Sequence, residues 1–325
     1  MQVRHLGRSG LQVSVLGLGT NAFGGRATAH AAKDVIAASL SCGMTFIDTA
    51  NIYTGGQSET IIGEALRGRR HEATLATKAG LVAGPGPLDR GSSRLHLMRE
   101  LEASLRRLQT DYIDLYQMHT FDAATPLEET LRTLDDMVRA GKVRYIGASN
   151  YRGWELMKAL GLSDRLGLER YVSIQPSYSL ADRVPEEELV PLCLDQGLGL
   201  IAYFPLAGGL LTGKYRPGAE PPPESRAAKA PAFGQKMLGS EARMALAAGV
   251  ADMAHELSAT PSQVALAWLI AQPAVATAIA GATRVEQVEE NARAADLALD
   301  ASALARLAEL SRAFLHERFD EARLP

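Results

Sequence analysis

The chain has 325 residues, 46 % of them apolar and 22 % charged, with a formal net charge of −3. That composition is ordinary for a folded globular protein, and a charge so near zero supplies no field to draw in nucleic acid or an anionic membrane surface. No apolar run reaches the roughly 18 residues a spanning helix needs, and the charged start at Arg4, His5 and Arg8 lacks the apolar core of an export signal. The two cysteines, Cys42 and Cys193, are far apart and flanked by apolar residues, which suits buried thiols rather than a disulfide. None of the seven histidines stands at metal-ligand spacing with another histidine or a cysteine. A cytoplasmic, metal-free protein is the expectation.

In chain order, residues 2–14 predict a hairpin: Val3 and His5 precede Gly7-Arg8-Ser9-Gly10, and Leu11, Val13 and Val15 then alternate with polar residues. A unit of short apolar strand, polar turn and amphipathic helix recurs from there. The strand and helix pairs fall at 15–19 and 29–42, 45–48 and 58–66, 73–78 and 93–108, and 113–119 and 126–140. They continue at 143–149 and 153–160, and at 171–175 and 185–196. The seventh strand, 198–203, is followed by a Gly-, Pro- and Ala-rich insert, 207–239, before its helix opens at Pro261. The eighth pair is 275–280 and 285–294. Asp300 is placed to cap a last helix, 301–314, ahead of a charged tail, 316–325. Pro126 at one helix start and Gly141 past its end follow the usual asymmetry of helix termini.

Eight strand–helix units predict a parallel sheet with right-handed crossovers, closed into one α/β domain over residues 1–325, a (β/α)8 TIM barrel. Its additions are the N-terminal β-hairpin, the irregular insert after strand seven and the C-terminal helix. Trp154 and Trp268 sit at amphipathic spacing and read as packing residues. Arg106 and Arg107 read as an exposed helix end, and Glu286 and Glu289 as a solvated helix face.

Such barrels carry chemistry at the carboxyl ends of their strands. There the second strand ends at Asp48 with Tyr53 in its loop, the third at Lys78 and the fourth at His119. Ionisable groups ending neighbouring strands are a poor way to build a core. They suit proton donation to a carbonyl oxygen: an ammonium stabilises phenolate and lowers the pKa of a phenol that otherwise titrates near 10. Lys78 is the expected cation and Asp48 its partner, with His119 bonding the substrate oxygen or relaying a proton. No side chain donates hydride, so a reduction requires a nicotinamide cofactor.

The residues Gly43-Met44-Thr45-Phe46-Ile47-Asp48-Thr49-Ala50 with Tyr53, Thr77-Lys78, Asp111-Tyr112-Ile113-Asp114-Leu115-Tyr116 with His119, Gly147-Ala148-Ser149-Asn150, Gln175-Pro176-Ser177-Tyr178, Leu211-Thr212-Gly213-Lys214-Tyr215 and Gly281-Ala282-Thr283 occur in order along nearly the whole chain. In them the sequence resembles the aldo-keto reductases, and in the Ser225-Arg226-Ala227 segment their channel-beta-subunit branch. The resemblance implies an NADPH-dependent oxidoreductase with the tetrad Asp48, Tyr53, Lys78 and His119, Tyr53 as general acid, interconverting an aldehyde or ketone and its alcohol. Gly19, Thr20 and Asn21 would lie in the first loop beside the cofactor. Ser149, Asn150 and Gln175 would hydrogen-bond the nicotinamide carboxamide, and Tyr203 would stack on the ring. Phe204, Pro205, Leu206, Ala207, Gly208 and Lys214 would follow the pyrophosphate, with Arg226 closing from the insert. Gly281, Thr283, Arg284, Gln287, Glu290 and Asn291 would line the adenosine end. Gly281 and Gln287 stand where many members carry Lys and Arg around the 2′-phosphate, so charge there would come from Arg284 or Arg226. NADPH rather than NADH is the expected cofactor. Phe23 and Phe121, with Tyr53, His119 and Tyr178, are expected at the substrate pocket, with an open mouth suited to a bulky or cyclic carbonyl.

Three other readings remain open. Gly17-Leu18-Gly19-Thr20-Asn21-Ala22 matches a loose dinucleotide-binding glycine pattern, but Phe23-Gly24-Gly25 interrupts where the helix should begin. A Schiff-base role for Lys78 needs a lowered pKa, which a carboxylate partner opposes. A nicotinamide-binding redox sensor or regulatory subunit with little turnover would keep the same residues.

Overall fold

A computed structural model describes residues 1–216, 219–223 and 225–317. The tail from 318 onward, expected to border the pocket, lies outside the described residues. Strands β1 (Val3–His5) and β2 (Gln12–Ser14) form the hairpin, paired antiparallel with Val3 opposite Ser14. Then β3 (Leu16–Gly19), β4 (Phe46–Asp48), β5 (Thr74–Ala79), β6 (Ile113–Met118), β7 (Val143–Ser149), β8 (Tyr171–Gln175), β9 (Gly199–Tyr203) and β10 (Val275–Gly281) run parallel, and β10 pairs with both β9 and β3. The sheet is therefore closed, as the eight repeating units predicted. An open dinucleotide-binding sheet is excluded by that closure.

Around it stand α1 (Ala29–Ser41), α2 (Gln57–Ala65), α3 (Arg94–Leu108), α4 (Leu127–Arg139), α5 (Gly153–Leu166) and α6 (Leu189–Gln196). Then come α7 (Arg226–Lys229), α8 (Pro231–Leu238), α9 (Glu241–Glu256), α10 (Pro261–Ile270), α11 (Val285–Ala292) and α12 (Ala301–Leu310). The hydroxyls of Thr28, Ser93, Ser240 and Thr260 and the carboxylate of Asp300 each accept from a first-turn backbone N–H. Each such cap contributes about 1 kcal/mol. Among the described residues no helix is long and apolar enough to cross a membrane.

The hairpin floors the barrel. Leu6 and Val13 are fully buried in one cluster with Phe46, Ala76, Leu115 and Ile201, which point inward from the strands. Gly7 permits this approach: it has φ +61°, and a Cβ there would lie 2.4 Å from the Gly197 carbonyl oxygen. Arg4 ties the hairpin to the last strand by donating to the carbonyls of Ile270 (2.8 Å) and Val275 (2.7 Å).

The structure departs from the sequence reading in places with clear causes. Helix α5 runs past 160 because Gly161 is tolerated inside it; the stop is Gly167, left-handed at φ 63°. Pro185 opens a separate 3-10 turn, Val184–Glu186, and α6 begins at Leu189 with Pro191 in its first turn, where the missing N–H has no helical partner to lose. The insert holds α7 and α8, and α9 follows unforeseen, although Met244, Ala247, Val250 and Ala254 recur at helical spacing and are buried.

Candidate active site

The loop after β4 keeps pairing beside β5, with Thr49 N–H donating to the Ala76 carbonyl (2.9 Å) and Asn51 N–H to that of Lys78 (3.1 Å). This carries the chain to the turn Tyr53–Gly56, where Thr54 Oγ1 donates to the Phe23 carbonyl (2.6 Å) and anchors it to the first loop. Ser58 at the start of α2 and Thr20 tie the same region together, and Thr20 Oγ1 donates to the Asp48 carbonyl (2.8 Å).

These constraints bring the four ionisable groups to one place. Asp48 and Lys78 are fully enclosed. Lys78 Nζ donates to Asp48 Oδ1 at 2.5 Å, to the Thr49 carbonyl at 2.9 Å and to the Tyr53 phenol oxygen at 3.4 Å. The Tyr53 and His119 rings meet edge to face, with centroids 5.9 Å apart at 76°. His119 follows the last residue of β6, its N–H donating to the Ala79 carbonyl (2.8 Å), and its buried Nδ1 has no partner among the described residues.

Burial alone would lower the Lys78 ammonium. The Asp48 charge, the Tyr53 phenol and the hydrogen bonds to both outweigh it, and the pKa rises above 10.5. Lys78 is therefore a fixed cation, which removes the Schiff-base reading. Burial, reinforced by the Lys78 charge, pushes His119 well below its ordinary 6.5. It is neutral at pH 7. For Tyr53 the outcome corrects the sequence argument. Lys78 does pull the phenol down, but burial pushes it up harder and Asp48 adds to that, so the net shift is upward from 10. Tyr53 keeps some solvent exposure, which tempers the push. The arrangement offers a protonated phenol beside a permanent positive charge, able to give its proton to an oxygen that is gaining negative charge.

A polar layer fills the barrel below the mouth. Gln175 Nε2 donates to Asp48 Oδ2 (2.8 Å) and to Gln117 Oε1 (3.2 Å), and Gln117 Nε2 donates to the same Asp48 oxygen (3.2 Å). Ser149 Oγ donates to the Gln175 carbonyl (2.8 Å), and Asn150 Nδ2 to the His119 carbonyl (2.9 Å). Tyr203 donates its phenol proton to Asn150 Oδ1 (3.0 Å). Asn150 (φ 59°), Phe204 (φ 60°) and Ala207 (φ 47°) hold left-handed backbone around this layer, each at an expected cost of about 1–2 kcal/mol. Such strain is characteristic of binding sites.

The groups expected along a bound dinucleotide lie further out. Gly19 ends β3 beside Gly281, and Asn21 Oδ1 accepts from Arg26 (3.4 Å). Pro205 and Leu206 lead into the turn Ala207–Thr212, which contains Gly208. Burial and the charges of Arg26 and Arg284 lower the Lys214 pKa. Arg226 lies over the rings of Phe204 (5.4 Å) and Phe233 (4.8 Å). Cations gathered beside a strained glycine turn fit a polyphosphate, which would relieve their mutual repulsion. Beyond β10, Thr283 donates to Gln287 Oε1 from its N–H (2.8 Å) and hydroxyl (3.2 Å). Glu290 accepts from Thr260 Oγ1 (2.8 Å), the cap of α10, and Asn291 is buried beside it in sequence. Among the described residues no three His, Cys, Asp or Glu side chains stand together as a metal site.

Several expectations about the surroundings are corrected. Phe23 is wholly inside the core and offers no wall to a pocket. Tyr178 is buried, packs edge-on against Trp268 (5.8 Å) and donates to Glu186 (2.9 Å). Trp268 is core, but Trp154 is 54 % exposed and meets Phe121 at 5.8 Å, while Phe121 also abuts Tyr151 at 5.3 Å. Arg107 is no free helix end: its Nε donates to the buried Glu59 carboxylate (2.6 Å). Gln117 was missed, although a lone amide inside the apolar run Leu115-Tyr116-Gln117-Met118 was the available signal. One surface hollow lies at the opposite end of the barrel, around Arg70, Glu102, Tyr112 and Lys142. Its charges are answered within the protein, Lys142 by Glu102 and Arg70 by Asp114, so the strand carboxyl ends are the better candidate.

The profile that defines the Aldo/keto reductase family matches residues 15–312. An uncharacterized oxidoreductase YrpG of Bacillus subtilis is 40 % identical over 311 residues, covering 92 % of this chain and 93 % of that protein. A probable voltage-gated potassium channel subunit beta of Arabidopsis thaliana is 38 % identical, covering 91 % of this chain and 92 % of its own. The L-glyceraldehyde 3-phosphate reductase of Escherichia coli K12 is 35 % identical over 90 % of this chain and 87 % of its own. With the barrel closed and the match running through nearly all of it, the chain belongs to the aldo/keto reductase family, whose members carry out NAD(P)-dependent oxidoreduction of carbonyl compounds.

Proposed function

We propose that the whole chain is one NADP(H)-dependent oxidoreductase that reduces an aldehyde or ketone and, with NADP+ in excess, oxidises the alcohol. The contact that carries this reading is Lys78 Nζ, 2.5 Å from Asp48 and 3.4 Å from the Tyr53 phenol oxygen. The bound nicotinamide supplies or accepts the hydride. Tyr53 gives its proton to the carbonyl oxygen, and Lys78 stabilises the phenolate left behind. Asp48, its oxygens accepting from Lys78, Gln117 and Gln175, keeps that lysine charged and in place. His119, neutral and beside Tyr53, orients the substrate oxygen with a ring N–H. Ser149, Asn150 and Gln175 hold the nicotinamide carboxamide, and Lys214 with Arg26, Arg284 and Arg226 takes the phosphates.

Steady-state turnover with a panel of aldehydes and ketones tests the reading, NADPH against NADH as donor. Turnover with NADPH that is lost in Tyr53→Phe while the variant still binds the cofactor supports it. Activity surviving in Tyr53→Phe overturns the assignment of the acid, and a lower Michaelis constant for NADH overturns the cofactor preference. The channel-subunit relative supports a second reading, a nicotinamide-binding regulatory subunit. One slow oxidation of bound NADPH without further cycles would favour it.

A further inference from the structure

The geometry points to Gln117 as a positioning residue that fixes the amide plane of Gln175, so that Gln175 meets the nicotinamide carboxamide as a hydrogen-bond acceptor. This rests on the nicotinamide-binding reading above. Gln117 is wholly buried in the barrel, one residue before the end of β6, and touches no solvent. Gly147 faces it across the ladder, where a Cβ would lie 2.4 Å from Ser173 Oγ and 3.3 Å from Gln117 Cγ, so the missing side chain leaves room for both in this layer.

The orientation of both amides follows from the chemistry of their partner. A carboxylate only accepts hydrogen bonds, so each amide facing Asp48 Oδ2 must present its NH2 group. Gln175 does so at 2.8 Å, and its second N–H reaches Gln117 Oε1 at 3.2 Å. Gln117 closes the ring by donating to Asp48 at 3.2 Å. With one partner, the Gln175 amide would pivot about its bond to Asp48. With two, both donors are used and the plane is fixed. The one hydrogen-bonding atom Gln175 has left is Oε1, an acceptor. The carboxamide of a nicotinamide offers an N–H donor to match it, whereas a 3-acetylpyridine ring, with a methyl in place of the NH2, does not.

The test is equilibrium binding of NADP+ and of its 3-acetylpyridine analogue, measured by quenching of protein fluorescence, in the wild type, Gln117→Met, Gln175→Met and the double variant. Wild type should prefer NADP+. Gln117→Met should weaken NADP+ by about three- to tenfold, the worth of one neutral hydrogen bond, and leave the analogue within twofold. In the Gln175→Met background, adding Gln117→Met should cost nothing further. Equal weakening of both cofactors would mark Gln117 as merely structural and overturn the proposal, as would independent losses in the double variant. A wild type that binds both equally overturns it without any variant. A wild type that binds neither sinks the cofactor reading itself, and this proposal with it.

Discussion

Arg107 Nε stands 2.6 Å from Glu59 Oε2, and the opposite oxygen of that fully buried carboxylate accepts from Thr77 Oγ1 at 2.6 Å. Thr77 precedes Lys78 on β5 and faces the helix layer, so the strand that presents Lys78 inward is pinned outward to α2 and α3. Removing the arginine leaves a carboxylate buried without its cation. Arg107→Met should lower unfolding stability by about 3 kcal/mol, and adding Glu59→Gln should restore part of that. Urea unfolding with unchanged slope measures both.

His119 links stability to acidity. Its folded pKa lies well below 6.5, so under acid the unfolded chain binds a proton that the folded chain refuses. The stabilisation is whole above pH 6.5 and is lost as pH falls below it, by about 1.4 kcal/mol per unit until the folded pKa is reached. Wild type should therefore lose more stability than His119→Gln between pH 7.5 and 5.5, as read from urea midpoints.

The Tyr53 phenol is raised above 10, so it still carries its proton in mildly basic solution. Carbonyl reduction at saturating NADPH should stay level from pH 7 to about 10 and decline only beyond. A basic limb centred near pH 7 or 8 would show that another group is the donor.

The Phe121–Trp154 pair, edge to face at 5.8 Å, stands two residues beyond His119 on one side and at the start of α5 on the other. Trp154→Ala should raise the Michaelis constant for bulky cyclic ketones about tenfold, leave small aldehydes unaffected and change the melting temperature little, because the side chain is already 54 % exposed. Equal effects on both substrate classes would remove the pair from the substrate's path.

The barrel was legible because its signal repeats: each strand–helix unit carried its own periodicity, and errors in single units did not change the topology. That Asp48, Lys78 and His119 come together was legible because they lie at or next to the carboxyl ends of adjacent strands, a relation that follows from chain order once the barrel is assumed. Gln117 was not, since which amide faces the interior depends on strand register, and its partner Gln175 is distant in sequence. The direction of the Tyr53 shift was also out of reach. It is a contest between burial and the Lys78 charge, and sequence reports only the second. Phe23 and Trp154 were misplaced because each is a lone aromatic among polar and glycine residues, and only packing decides that the phenylalanine goes in and the tryptophan stays out.

The hairpin beneath the barrel has a kinetic meaning. With Leu6 and Val13 stopping the lower end, the molecule is a cup rather than a tube. Under the proposed function, a substrate that enters to react at Tyr53 would have to leave through the same open end.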